Sequence, residues 1–258
     1  MRRGLVDTAA GAADTIAAGR VLVGGSPALE PRRMVAPSES IHVTRDVPRF
    51  VSRGGEKLVA ALERFSVDAF GRRALDAGVS TGGFTDCLLQ AGAAEVVAVD
   101  VGRGQLAWAL RNDSRVTLLE RTNVRGLEAA DIGGVVDLVV ADLSFISLAT
   151  VAPALMRCST ADADLVLLVK PQFEAGRARV GEGGVVRDRA VQRAVLREVT
   201  AELAAHGLVT VDVMVSPLRG ADGNVEFFLR CRKHGTPVDV AMLDACVDAI
   251  VEVPGAHP

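Results

Sequence analysis

Lysine is rare in this 258-residue chain, since only Lys57, Lys170 and Lys233 among its 29 basic residues are lysines and the other 26 are arginines. Arginine keeps its proton at every accessible pH, whereas a lysine withdrawn from water can release it. The base composition of the genome can produce such a bias. Positions that nevertheless keep lysine are candidates for proton transfer. We interpret Lys57 and Lys170 in this way, and Lys233, inside the charged stretch 230–234, is predicted to be an ordinary solvated charge.

A glycine-rich turn between Asp76 and Gly83 is the second feature that indicates chemistry. A short apolar run precedes it, and Phe84, Leu88 and Leu89 follow it with helical spacing, which predicts a strand, a turn and a helix. Glycines let a ligand approach the backbone closely. The turn lacks the Gly-Lys-Ser/Thr of a phosphate-binding loop and only loosely matches the dinucleotide fingerprint. It indicates a ligand that carries a nucleoside, with a tight structural turn as the alternative.

Charged residues end four of the apolar runs. Asp76, Asp100, Asp142 and Lys170 each stand at the end of a strand candidate. A polar residue at a single strand end often serves only solubility. In an open parallel sheet, however, ligands bind beyond the carboxyl ends of the strands, so these side chains are expected to meet at one rim beside the glycine turn.

The elements that must position this rim follow an alternating pattern. Strand candidates lie at 74–76, 95–99, 116–119, 135–141 and 165–169, and helix candidates at 83–91, 104–110, 146–156 and 189–206. Such alternation predicts parallel strands with helices on both faces. Two last strands, 209–215 and 225–232, are joined without a helix and should pair antiparallel. An amphipathic helix over 52–65 places Lys57 in its first turns, and a short helix is predicted at 238–250.

Asp100 follows the glycine turn by about one strand and helix, which suits a carboxylate that binds ribose hydroxyls. NAD-dependent oxidoreductases and S-adenosylmethionine-dependent methyltransferases both use such an acid. The turn lacks the third fingerprint glycine, and the sheet is predicted to carry an antiparallel strand at its edge. Both features favour a methyltransferase, with the oxidoreductase as the alternative.

Residues 1–45 are predicted to form a small, mildly basic α+β unit. A helix is expected at 8–18, a strand and turn at 20–27 and a last strand at 40–44, followed by a linker at 46–51. A basic turn beside a helix can hold RNA phosphates, and a solvated loop is the alternative. The candidate RNA contacts are Arg2, Arg3, Arg20, Arg32 and Arg33.

Composition excludes several classes of protein. A net charge of -3 gives no overall basic field, so any nucleic-acid surface must be a local patch. The four cysteines form no Cys-x-x-Cys pair, which argues against a zinc site or a disulfide framework and suits a reducing compartment. Apolar runs stay shorter than the roughly 18 residues of a membrane span. We therefore expect a cytoplasmic protein with no metal and no obligate protein partner.

Six motifs together resemble the TlyA/hemolysin A family of ribosomal RNA 2′-O-methyltransferases. They lie at 52–58, 76–84, 100–106, 141–147, 170–174 and 223–228, and the match covers nearly the whole chain. The resemblance implies an α/β, Rossmann-like, FtsJ-like methyltransferase domain at 52–258, with a mostly parallel seven-stranded sheet and an antiparallel edge strand. It also implies an S4-type RNA-binding domain at 1–45. The abrupt start at Met1 predicts that this domain is truncated, with a weakened grip on RNA.

The same resemblance implies an activity and a partner. S-adenosylmethionine would donate a methyl group to the ribose 2′-hydroxyl of cytidines in ribosomal RNA, in the large ribosomal subunit and possibly in the small one. Susceptibility to ribosome-binding peptide antibiotics would change. A non-catalytic RNA-binding protein and a membrane-active hemolysin stay open as alternatives. Because the chain has no tyrosine and one tryptophan, arginine contacts and RNA shape are expected to dominate recognition.

Functional residues follow from matching the family motifs position by position. The Lys-Asp-Lys-Glu tetrad of the family falls on Lys57, Asp142, Lys170 and Glu226. A ribose hydroxyl must lose its proton as it attacks, and our hypothesis is that Lys170 accepts it, poised by the neighbouring Lys57, while the two carboxylates orient the amines and the ribose. The expected cofactor contacts are Asp76, Gly78, Ser80, Thr81, Gly82, Gly83, Phe84, Asp100 and Asn123.

Overall fold

A computed structural model of the chain describes residues 4–6, 8–17, 20–24, 26–28, 30, 31, 33–36, 39–43 and 49–250. The chain divides into two units, Met1–Pro48 and Arg49–Pro258. The predicted RNA contacts Arg2, Arg3 and Arg32 and residues 46–48 of the predicted linker lie outside the described residues.

The first unit combines one described helix with a three-stranded antiparallel sheet. Its elements are α1 (Ala9–Ala17), β1 (Val21–Val23), β2 (Ser26–Pro27) and β3 (Ile41–Val43), in the strand order β2-β1-β3. Val21, Val23 and Ala28 form its buried core, and Ile16 of α1 packs against them. The predicted α+β character is therefore present, and the S4-type assignment stays a prediction.

The second unit is built on a seven-stranded sheet with the order β6-β5-β4-β7-β8-β10-β9. Its strands are β4 (Arg73–Ala77), β5 (Glu95–Val99), β6 (Val116–Leu119), β7 (Val136–Ala141), β8 (Ser159–Val169), β9 (Val209–Val215) and β10 (Phe227–Arg232). Strands β4 to β8 pair parallel, and β10 pairs antiparallel with both β8 and β9. The predicted mostly parallel sheet with antiparallel pairing at its edge is confirmed, and the antiparallel strand is β10, one position in from β9.

Helices cover both faces of this sheet, as the alternation predicted. They are α2 (Arg53–Phe65), α3 (Gly83–Gln90), α4 (Trp108–Arg111), α5 (Leu148–Arg157), α6 (Pro171–Glu174), α7 (Arg189–Ala205) and α8 (Val240–Asp248). One buried cluster joins the sheet to α5, α7 and α8, and the other joins it to α2 and α3. Neighbouring residues of β4 show why there are two, since Ala74 belongs to one cluster and Leu75 to the other.

Two elements differ from their predicted ranges by more than two residues at one end. The helix expected at 104–110 begins only at Trp108, because Gly104 has a φ of +70° and Ala107 has a ψ of 138°, neither of which belongs to a helix. Strand β8 begins at Ser159 rather than at residue 165. Asp162 and Asp164 interrupt the apolar pattern in the first half of β8, so the pattern indicated only its second half.

Asp164 is accommodated inside β8 because three arginines surround it. Its Oδ1 accepts hydrogen bonds from Arg230 Nε at 2.9 Å and Arg232 Nε at 2.8 Å, and its Oδ2 accepts one from Arg72 Nη1 at 3.0 Å. Burial raises the pKa of this carboxyl, but the three arginines outweigh burial and lower it to about 2. The cluster joins β8 and β10 to the start of β4.

Asp164→Asn is expected to destabilise the protein by about 3 kcal/mol, the lower end for breaking a buried ion pair, because the guanidinium groups stay partly exposed. The folded-state pKa is depressed, so this stabilisation is present above the ordinary value of 3.8 and is lost as the pH falls toward 2. Urea unfolding followed by circular dichroism measures it. Asp212→Asn, which breaks a pair with the exposed Arg64, is the control and should cost about 0–1 kcal/mol. Equal losses in the two variants would contradict the prediction.

Candidate active site

The order of the strands reverses between β4 and β7, and the ends of these two strands lie in contact. Asp142 N, just beyond β7, donates to Ala77 O of β4 at 3.1 Å. A side chain at Gly78 would place its Cβ 2.4 Å from Asp142 O, and Gly78 has a φ of +92°. Glycine is therefore required there on both counts. The reversal of strand order is where open α/β sheets bind their ligands, which agrees with the predicted rim.

Asp100 holds the glycine turn in place. Its Oδ2 accepts a hydrogen bond from Ser80 N at 2.8 Å, and its Oδ1 accepts one from Gly102 N at 2.7 Å. Ser80 has a φ of +46°, so the carboxylate secures a strained backbone position. Two predicted ligand contacts, Ser80 and Asp100, are thus brought together. The remaining lone pairs of the Asp100 carboxylate can still accept hydrogen bonds.

Gly82 and Gly83 connect the turn to α3. Gly82 has a φ of +99° and precedes the helix, and a Cβ at Gly83 would lie 2.3 Å from Ser52 Oγ and 2.9 Å from Gly55 N. The first turn of α2 therefore packs directly on this backbone. Thr81 is exposed beside it. The ring of Phe84, also predicted to contact the ligand, is instead buried and lies 6.1 Å from the ring of Phe228.

Asp76 is a fully buried carboxyl at the end of β4. Its Oδ2 accepts a hydrogen bond from Thr85 Oγ1 at 2.6 Å, whereas its Oδ1 has no hydrogen-bond partner among the described residues. Burial raises the pKa of Asp76 to about 7, opposed by the Thr85 hydrogen bonds and assisted by the charges of Asp142 and Asp100. A buried carboxylate oxygen without a partner suits a cationic ligand group.

Asp76→Asn is expected to stabilise the protein at neutral and higher pH. The folded-state pKa is raised, so the favourable state of Asp76 is fully present below 3.8 and is lost as the pH rises through about 7. Asparagine has no charge to desolvate. The free energy of unfolding of the variant minus that of wild type should therefore grow between about pH 4 and pH 8, by at most a few kcal/mol at 1.4 kcal/mol per pKa unit. A difference that does not change with pH would contradict this.

The predicted tetrad forms two ion pairs. Lys57 Nζ, in α2, donates a hydrogen bond to Glu226 Oε2, just before β10, and both residues are buried, with 8% and 2% of their surface exposed. Lys170 Nζ lies 2.5 Å from Asp142 Oδ1 and 3.2 Å from Ser144 Oγ. Each lysine thus pairs with its own carboxylate, whereas the hypothesis from the sequence had Lys57 act directly on the neighbouring Lys170.

The two pairs belong to one electrostatic site. Burial raises the pKa of Glu226, and the net shift is upward. The hydrogen bond and charge of Lys57 and the charge of Lys170 lower this pKa, whereas the charge of Asp142 raises it. The Lys57–Glu226 pair is the more enclosed, and the Lys170–Asp142 pair lies where β7 and β8 end. The structure therefore gathers all four predicted side chains beside the glycine turn.

A family model for FtsJ-like methyltransferases matches residues 50–233. This chain belongs to the FtsJ-like methyltransferase family. It is 55% identical over 233 residues to the 16S/23S rRNA (cytidine-2′-O)-methyltransferase TlyA of Mycobacterium tuberculosis, which covers 90% of this chain and 87% of that protein. It is 33% identical over 181 residues to the 23S rRNA (cytidine-2′-O)-methyltransferase TlyA of Campylobacter jejuni, which covers 69% of each.

A solved structure gives the same assignment. A candidate hemolysin from Streptococcus thermophilus superposes with a TM-score of 0.76 at 37% identity, over 96% of this chain and 91% of that one. The predicted resemblance to the TlyA/hemolysin A family and the predicted Rossmann-like methyltransferase fold are therefore confirmed. Membership of an FtsJ-like methyltransferase family also decides against the NAD-dependent oxidoreductase.

Other expectations for this FtsJ-like methyltransferase concern membranes, metals and RNA. Among the described residues no helix has the length and apolarity to cross a membrane. The same residues contain no group of three or more histidine, cysteine or acidic side chains arranged to hold a metal ion. In the first unit, Arg33 Nη2 lies 3.7 Å from Glu39 Oε1, and Arg20 is half-buried. Asn123 is exposed, and its Oδ1 accepts from Arg125 N at 3.0 Å as the cap of a short turn.

The sequence interpretation missed one conspicuous residue of this methyltransferase. Phe145, three residues after Asp142, is 90% exposed and has a φ of +65°. Its ring lies 4.8 Å from that of Phe173. A bulky residue in the left-handed region is a true outlier, and such strain concentrates at functional sites. In the 141–147 motif Phe145 stands with the apolar Leu143 and Ile146, so its residue type predicts a core position, although serines stand near it on both sides.

Proposed function

We propose that this protein transfers a methyl group from S-adenosylmethionine to the ribose 2′-hydroxyl of cytidines in ribosomal RNA. The observation that carries the proposal is the gathering of Lys57, Asp142, Lys170 and Glu226 beside the glycine turn. The names of two relatives, both ribosomal RNA cytidine-2′-O-methyltransferases, support the substrate. A protein that only binds RNA does not need two lysines and two carboxylic acids arranged in this way.

The rim fits S-adenosylmethionine by its chemistry. The unpartnered Oδ1 of Asp76 suits the ammonium group of an amino acid, and the exposed Ser80 and Thr81 leave the middle of the glycine turn open to a ligand. The free lone pairs of Asp100 suit ribose hydroxyls, and we assign the adenine amino group to Asn123. When bound, the cofactor supplies an electrophilic methyl group on a sulfonium centre.

Lys170 is assigned the role of proton acceptor. With the cofactor bound, Lys170 Nζ in its neutral form would accept the proton that the ribose 2′-hydroxyl gives up as its oxygen takes the methyl group, and the sulfur would leave with the electrons of the carbon–sulfur bond. Asp142 and Ser144 fix this nitrogen from two sides. The buried Lys57–Glu226 pair, held rigidly by its surroundings, orients the ribose. No metal enters this assignment.

Phe145 is assigned to the target base. To reach a ribose in structured RNA, an enzyme draws the nucleotide out of its stack, and the freed base then needs a new surface. Stacking of a base on an aromatic side chain contributes about 1–3 kcal/mol. An exposed ring three residues from Asp142 provides such a surface, so this chain compensates in part for its scarcity of aromatic residues.

The finer assignments concern the RNA and its setting. The first unit is proposed to be an S4-type RNA-binding domain that uses Arg2, Arg3, Arg20, Arg32 and Arg33. The relative with 55% identity is named for both 16S and 23S rRNA, which favours both ribosomal subunits as substrates. Methylation there would take place in the cytoplasm. It would alter susceptibility to peptide antibiotics that bind the ribosome.

Mapping of methylated riboses tests this proposal. Ribosomal RNA is compared between cells with the protein, cells without it and cells that carry a Lys170→Arg version at the same level. We expect at least one cytidine to lose its 2′-O-methyl group in the last two. If no ribose differs while the purified protein binds S-adenosylmethionine in calorimetry, ribosomal RNA is not the substrate.

A further inference from the structure

The carboxylate of Glu174 joins two separate segments of the active site. Its Oε1 accepts a hydrogen bond from Leu148 N at 2.9 Å, across 26 residues of sequence. Leu148 is the first residue of α5, which follows the loop of Asp142, and Glu174 is the last residue of α6, which begins directly after Lys170. Glu174 therefore ties the segment after Lys170 to the segment after Asp142.

Two further contacts connect the same segments nearer to the chemistry. Lys170 meets Asp142 and Ser144, and Phe173 meets Phe145. The segment between Lys170 and Glu174 is short and internally bonded, since Phe173 N donates to Lys170 O at 2.9 Å. A displacement of Glu174 away from α5 is therefore transmitted to Lys170 rather than absorbed between them.

Capping of α5 does not by itself require this carboxylate. Ser147 already caps the helix, because its Oγ accepts from Ala149 N at 3.2 Å. Helices α7 and α8 take such caps from their own N-terminal residues, Asp188 and Asp239. The half-buried Glu174 supplies a second cap on α5 from another segment, and this adds a connection between segments to the ordinary local cap.

We infer that Glu174 is a positioning residue, which holds Lys170 against Asp142 by tying α6 to the start of α5. The inference rests on the proposed role of Lys170 in methyl transfer. The inference also makes a structural claim that does not depend on that role: loss of the hydrogen bond from Leu148 N to Glu174 loosens the Lys170–Asp142 pair. That claim can be measured without any RNA.

The small number of lysines makes the measurement direct. Acetic anhydride labels lysine amines, and mass spectrometry of peptides reports Lys57, Lys170 and Lys233 separately in the full-length protein. In Glu174→Ala we expect labelling of Lys170 to rise at least about threefold relative to the other two, because the local opening that exposes it becomes more frequent. Glu174→Gln keeps an oxygen that accepts from Leu148 N and should stay within about twofold of wild type. Asp239→Ala removes a cap of the same kind from α8 and controls for lost stability.

Activity gives the second readout. With ribosomal subunits that lack the methyl groups, Glu174→Ala should lower kcat about tenfold and leave affinity for S-adenosylmethionine within about twofold, since a small misplacement of a reacting group is costly. Glu174→Gln should recover most of kcat. Unchanged labelling of Lys170 in Glu174→Ala, or an equal rise in Asp239→Ala, overturns the inference whatever happens to kcat. Wild-type protein that methylates no RNA overturns the proposed function instead, and the labelling result still decides the role of Glu174.

Discussion

A protein that carries Lys170→Arg is expected to transfer methyl groups about 10²- to 10⁴-fold more slowly than wild type, the usual contribution of a positioned acid or base. Arginine keeps a positive charge beside Asp142, so the ion pair survives in kind. It cannot release a proton at accessible pH. The substitution therefore separates the charge of Lys170 from its capacity to accept a proton. Transfer of tritiated methyl groups to ribosomal RNA measures the rate, and calorimetry should show unchanged binding of S-adenosylmethionine.

The matched control is Lys233→Arg, the same substitution at a lysine outside the site. Lys233 Nζ donates to the carbonyl oxygens of Met156 and Ser159, contacts that a guanidinium group can also make. This control should keep its activity. Full activity in Lys170→Arg would rule out the proton-acceptor role and leave Lys170 as a charge that orients the ribose. Loss of cofactor binding would show that Lys170 also contributes to the binding of S-adenosylmethionine.

Most of the sheet is predictable from the sequence because its strands are buried on both faces and bounded by turns. The parallel strands β4 to β8 and the antiparallel pairing of β10 follow from apolar runs and from the presence or absence of a connecting helix. The start of β8 does not. Its pattern is broken by Asp164, whose burial depends on arginines that stand 92 residues before it and 66 and 68 residues after it. Long-range ion pairing of this kind has no local signal.

In the candidate site, too, the sequence predicts which residues take part but not how they are arranged. Lys57, Asp142, Lys170 and Glu226 follow from residue type and motif, yet their pairing depends on how α2 and β10 meet across the sheet. The orphaned oxygen of Asp76 likewise depends on burial that no spacing reveals. Phe145 illustrates the converse, since an aromatic residue between Leu143 and Ile146 predicts a buried side chain. Its left-handed backbone instead turns the ring outward.

Variants of the Lys57–Glu226 pair are expected to affect methyl transfer and the free energy of unfolding differently. Lys57→Met is expected to destabilise the protein by about 3–5 kcal/mol, because it leaves a carboxylate buried without its cation. Glu226→Leu should lower the stability by a similar amount, because it leaves the Lys57 cation buried without its carboxylate. The double variant removes both charges and fills the space with apolar atoms, so it should recover most of the lost stability. None of the three should methylate RNA. Urea unfolding and methyl transfer measure the two effects independently.

The pH dependence of the Lys57→Met variant provides a further check on the same pair. Burial raises the pKa of Glu226, and Lys57 opposes that rise through its hydrogen bond and charge. Without Lys57 the folded-state pKa rises further, so protonation of Glu226 favours the folded state and the variant should regain stability as the pH falls toward that value. The double variant has no carboxyl there and should lack this recovery. A double variant that stays as unstable as either single variant would show that the buried charges are not the cause of the lost stability. A double variant that regains methyl transfer would show that the pair does not orient the ribose.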